Sequence, residues 1–190
     1  VDRSRGLGDV YKRQILNENS PTLSYWETIF NRFVDGDTSF VDSLLTDSAQ
    51  SFFYELVIFD DTTLNKTFHL LREQLDTSYV DYNIPEITSD DVVGGFRNGW
   101  GLFIINMDAE REQILIQVPH PCDDFIAPYI ALDLFFETDA FGFMIAGAGR
   151  EVAWNQIGDY SNSKSISDPS RYPHTVCLLY TSPSPRDLST

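Results

Sequence analysis

Apolar and polar positions alternate with two different periods along this chain, and the switches between them mark its elements. Residues 22–33 place Leu23, Trp26, Ile29, Phe30 and Phe33 at spacings of three and four, the stripe of an amphipathic helix, with Ser20-Pro21 as its start signal. Asp35-Gly36-Asp37 breaks that helix as a solvated turn; an EF-hand would need further oxygen ligands and a glutamate at fixed spacing. Residues 40–45 suggest a second, short helix. Residues 51–59 turn aromatic and β-branched, a strand stopped by a turn at Asp60-Asp61. Leu64, Phe68, Leu71 and Leu75 then share one helical face over residues 64–75, where His69 reads as a partly buried structural histidine. An acidic connector, 76–91, leads to Gly94-Gly95, a turn or a close backbone approach. Two apolar strands follow, 101–107 and 114–118, and the charged residues 108–112 between them suggest a β-hairpin.

The second of these strands ends at Pro119-His120-Pro121, because proline lacks a ladder donor and restricts the residue before it. Beyond the stop, Ile126, Ile130 and Leu134 run beside Ala127, Ala131 and Phe135, two rows of one helix face. Residues 141–146 return to a strand, closed by Gly147-Ala148-Gly149-Arg150-Glu151. Strand, helix, strand predicts a βαβ unit with parallel strands. The expected fold is therefore α/β: a mixed sheet with a β-hairpin leading into a parallel βαβ unit, preceded by helices. In such a unit both strands end on one edge of the sheet, which brings His120, Asp123 and Asp124 toward residues 147–151. Residues 151–176 form a polar, loop-rich stretch ending in Pro173-His174.

The two ends change the composition that matters. Back-translation of residues 4–14 yields, on the complementary strand, the coding sequence of residues 177–187, so both ends read as one oligonucleotide in opposite directions. They resemble the translated adapter of transposase-based sequencing libraries. That resemblance implies adapter-derived tails at 1–14 and 177–190 around a single α/β domain at 15–176, truncated at one or both ends. Without Arg3, Arg5, Lys12, Arg13 and Arg186, the 13 basic residues fall to 8. Without Asp2, Asp9 and Asp187, the 29 acidic ones fall to 26, moving the net charge from −16 to −18. So acidic a surface repels nucleic acid and anionic membranes. No apolar run reaches the roughly 18–20 residues of a membrane span. Cys122 is the one cysteine outside the tails, which excludes a disulfide framework within 15–176.

One imidazole and two carboxylates at a strand end suit a divalent metal, zinc or another, which takes such ligands and leaves a position for water. His120 and Asp124 would supply two ligands and His174 a third; Asp123 or Glu151 would act as base and Arg150 as the cation facing an oxyanion. The structural alternative is that Asp123 or Asp124 caps the following helix. A thiol nucleophile at Cys122 with His174 as base is a third reading, and a nucleotide site at Gly147-Ala148-Gly149 lacks its third glycine.

Val118-Pro119-His120-Pro121 followed by Asp123-Asp124 resembles the Pro-His-Pro-Asp-Asp motif of zinc N-acetylglucosaminyl-phosphatidylinositol-type deacetylases, lengthened by Cys122. That resemblance implies His120 and Asp124 as zinc ligands and Asp123 as base. The same strand and Val-Pro-His segment is similar to the opening of the metal site in N-formylglutamate amidohydrolase-like and zinc carboxypeptidase-like enzymes. Both resemblances imply metal-assisted hydrolysis of an amide in a small-molecule or peptide-like substrate. The alternative of another class is a non-catalytic acidic binding domain.

Overall fold

The computed structural model describes residues 21–47, 52–75, 98–121 and 124–147. Helix α1 (Pro21–Val34) buries Leu23, Trp26, Ile29, Phe30 and Phe33, the stripe read from the sequence. The Asp35-Gly36-Asp37 turn also starts the next element: Asp37 accepts a hydrogen bond from the Phe40 amide and so caps α2 (Thr38–Leu45), two residues earlier than the apolar pattern implied. Tyr25 donates to the Leu44 carbonyl across the two helices, at 3.2 Å.

The sheet has five strands: β1 (Tyr54–Asp61), β2 (Lys66–Glu73), β3 (Leu102–Asn106), β4 (Arg111–Val118) and β5 (Ala140–Ile145), with helix α3 (Ala127–Glu137) between the last two. Their order is β1-β2-β3-β5-β4. All neighbours are antiparallel except β4 and β5, which pair in parallel from Arg111↔Ala140 to Val118↔Ile145. The mixed α/β sheet and the parallel βαβ unit stand as the sequence implied, with helices ahead of them.

Three expectations are corrected. Residues 64–75 are not a helix but the turn into β2 and the strand itself. Phe68 and Leu71 belong to separate apolar clusters on opposite sides of the sheet. A central strand needs apolar groups on both faces, and over a short run that cannot be told from a helical stripe. Asp60 and Asp61 close β1 rather than forming the turn. Residues 62–65 turn instead: Asp61 Oδ1 accepts from the Thr63 and Leu64 amides, and Asn65 takes a left-handed φ of 52°. Finally, β3 and β4 are not hairpin neighbours, because β5 lies between them. The hairpin of this sheet is β1–β2.

Both faces of the sheet are covered, unequally. On one side, α1 and α2 meet Tyr54, Leu71, Phe103, Ile105 and Met144. Trp26 sits at the centre there, its ring 4.8 Å from that of Tyr54 and 5.2 Å from that of Trp100. On the other side, α3 lays Ala131 and Phe135 against Phe68, Val118 and Phe143. No helix among the described residues is long and apolar enough to cross a membrane.

Candidate functional site

The carboxyl ends of β4 and β5 meet at one edge, where the Ala146 amide donates to the Val118 carbonyl at 3.0 Å. Directly after Val118 the chain turns through Pro119, His120 and Pro121, and the Asp124 amide donates back to the His120 carbonyl at 2.9 Å. This single turn brings the two side chains together. His120 Nδ1 lies 3.8 Å from Asp124 Oδ2, the imidazole 14 % exposed and the carboxylate 56 %. Two ligands of one tetrahedral ion, with bonds of about 2.0–2.2 Å, sit roughly 3.4 Å apart. A closure of a few tenths of an ångström would let this nitrogen–oxygen pair share one metal, so the donors fit as part of a ligand set. No group of three or more such ligands occurs among the described residues.

Asp124 is not a helix cap. The cap position of α3 is Ile126, and no side chain hydrogen-bonds there; Asp124 contributes only its carbonyl, to the Ala127 amide. Its carboxylate is left to face the imidazole. Of the remaining residues assigned from sequence, Asp123, Arg150, Glu151 and His174 all lie outside the described residues, as does Cys122.

Beside this turn opens a cleft of about 610 Å³. Pro121, Ile145, Ala146 and Gly147 line it from the β4–β5 side, and Arg72, Glu73, Leu75, Gly101, Leu102 and Glu55 from the other strands. The floor is built by close backbone approach. Gly101 has φ +103°, and a Cβ there would stand 1.9 Å from the Ile145 carbonyl oxygen; one on Gly147 would be 2.6 Å from the Gly99 carbonyl carbon. Gly147 is thus explained by packing rather than by a phosphate loop.

Sequence reasoning passed over Glu73, which organises this wall. Its carboxylate is buried and accepts from three successive amides: Asn98 on Oε1, and Gly99 and Trp100 on Oε2, the last two at 2.9 and 3.3 Å. Tyr54 completes the junction by donating to the Gly101 carbonyl at 2.7 Å. An acid at the end of an apolar strand, followed far along the chain by Asn-Gly-Trp-Gly, was the available signal. Arg72 was missed for the same reason, since a helix over 64–75 would have put it on a solvated face. In the sheet its Nε donates to Glu55 Oε1 across β1–β2, at 2.7 Å, on the rim of the cleft.

Comparison of the chain with protein-family models, with curated proteins and with solved structures found no match.

Proposed function

We propose that this chain is a metal-dependent hydrolase acting on an amide, of amidohydrolase, deacetylase or carboxypeptidase type. The observation that supports the reading is the Asp124 carboxylate, not spent on capping α3, held 3.8 Å from the His120 ring at the carboxyl edge of a parallel strand pair. Open α/β sheets bind ligands at such edges, and a cleft of small-molecule size adjoins this one. His120 and Asp124 are the residues that would hold a divalent cation, zinc or another. When bound, such an ion supplies Lewis acidity toward a carbonyl and a water acidified to near neutral pH. Pro119 and Pro121 limit the backbone freedom on either side of His120, which keeps the imidazole placed before any ligand arrives. The sequence assigns the proton-accepting role to Asp123 or Glu151, the oxyanion contact to Arg150 and a third ligand to His174.

Metal content of the full chain after exposure to zinc and exhaustive dialysis tests this directly. About one equivalent is expected for the wild type, with H120A and D124A each near background. Hydrolysis of N-formyl and N-acetyl amino acids should fall by about 100-fold or more in both variants. Unchanged metal content in H120A would remove the basis of the reading.

One observation favours a non-catalytic binding domain instead. Phe125 and Tyr129 are each 72 % exposed, and Ile126 and Ile130 stand beside them, an apolar row at the start of α3. Stoichiometric metal with no amide hydrolysis, or neither, would favour it.

A further inference from the structure

We infer that the cleft binds a small zwitterion with an apolar side chain, in chemical class a free α-amino acid, held between Arg72 and Glu55. The volume, about 610 Å³, lies within the roughly 300–1,000 Å³ common for small-molecule sites. One wall is apolar, from Leu75, Leu102, Ile145 and Ala146. On the rim, Glu55 and Arg72 face each other in register across β1 and β2. Their side chains are 37 % and 52 % exposed, so a solute reaches both.

The geometry of the pair leaves a matched set of groups open. Arg72 spends Nε on Glu55 Oε1, and its Nη1 and Nη2 have no partner among the described residues. That end-on fork is the face of a guanidinium that grips a carboxylate through two parallel hydrogen bonds. Glu55 Oε2 is open in the same sense, and an ammonium beside it would complete the arrangement.

Charge selects among ligands. The chain carries −16, so a free anion meets a repulsive field on its way to Arg72. A plain cation is drawn in but leaves the guanidinium as a like-charged neighbour. A zwitterion carries no net charge and satisfies both groups at once. Leu102 and Ile145 then take the side chain, which glycine lacks.

Titration of the full chain with L-leucine, by calorimetry or by amide NMR shifts, tests this. The matched probes are 4-methylpentanoate, which lacks the amine, isopentylamine, which lacks the carboxylate, and glycine. Leucine should saturate the protein at millimolar concentration or below, with each analogue at least about 10-fold weaker. R72Q and E55Q should each weaken leucine by about 10-fold or more, with melting temperatures within a few degrees of the wild type, because an exposed cross-strand pair adds little to stability. Should R72Q fail to fold, R72K, which keeps the charge and loses the fork, carries the same expectation. Absence of saturable leucine binding, an analogue binding equally well, or full affinity in R72Q or R72K would each overturn the inference. Leucine binding is read on metal-free protein and zinc content without leucine, so the metal reading and this one stand or fall separately.

Discussion

His69 stands on β2 opposite Ile58 of β1 and Ile105 of β3, buried at 8 % exposure, and its Nδ1 has no hydrogen-bond partner among the described residues. Burial lowers its pKa from the ordinary 6.5, and the Asp60 carboxylate on β1 opposes that shift without cancelling it. A histidine whose folded pKa lies below its unfolded one must be neutral to stay in place. Its contribution is therefore intact above about pH 6.5 and is lost as pH falls from there through the lowered value. In H69L the buried unpaired nitrogen is gone, which should return about 1 kcal/mol at neutral pH. Denaturant unfolding of wild type and H69L at pH 8 and pH 5.5 measures both effects. The advantage of H69L should be larger at pH 5.5, and an advantage independent of pH would show that His69 takes up its proton in the fold as readily as in the unfolded chain. The same residue shows what the sequence hid. A histidine between Phe68 and Leu70 was legible as structural, but its surroundings came from β1 and β3 rather than from a helix.

Among the elements, the strands that end at the cleft depend on glycines to very different degrees. Gly101 combines a left-handed φ with an Ile145 carbonyl where a Cβ would sit, and backbone cannot move aside without parting β3 from β5. G101A should cost about 3 kcal/mol or more and lower any ligand affinity of the cleft. Gly142 of β5 meets only the Leu115 Cδ1 tip, at 2.5 Å, with Ile105 Cδ1 at 3.6 Å. A leucine tip can change rotamer, so G142A should cost about 1–2 kcal/mol. Thermal unfolding of the two variants checks the ranking, and equal costs would contradict the asymmetry. These contacts explain where sequence reading succeeded and stopped. The stripe of α1, the Ala131–Phe135 row of α3 and the runs of β3, β4 and β5 are local patterns and were read from spacing alone, whereas the Ile126, Ile130 and Leu134 row expected on the same face of α3 is exposed. The pairing of β3 with β5 instead of β4 is fixed by contacts between residues some forty positions apart, such as Phe103↔Met144. The His120–Asp124 turn was legible because Pro-His-Pro signals its own shape. The Glu73 junction was not, because its amide partners follow about 25 residues later in the chain.

At the scale of the whole molecule the sheet keeps site and lock on opposite edges. The cleft and His120 occupy the carboxyl ends of β4 and β5. At the other edge Asp139, at φ +51°, gathers three segments. Its Oδ1 accepts from Lys66 Nζ of β2 at 2.6 Å and from Asn106 Nδ2 of β3 at 2.8 Å, and Oδ2 from the Glu110 amide ahead of β4 at 2.9 Å. The Lys66 hydrogen bond is the largest of the influences holding this carboxyl below its ordinary 3.8, against a desolvation that would raise it. A depressed carboxyl pKa contributes stability that is present above 3.8 and lost as pH falls through the lowered value. Asn suits the left-handed backbone but keeps one acceptor oxygen where Asp139 uses two, so D139N removes the charge and one accepted hydrogen bond. It should cost about 1 kcal/mol at neutral pH, because the pair is partly solvated. D139A, which also strains the backbone and orphans the Glu110 and Asn106 donors, should cost about 2–3 kcal/mol. The deficit of D139N relative to wild type should shrink in denaturant unfolding as pH falls from 3.8 through the lowered value, since both then lack the charge. Zinc content and leucine affinity, read at pH 7 on the folded variants, should stay at wild-type values. A loss of either in D139N would mean that the two edges are coupled through β5, and the separation of stability from site would fail.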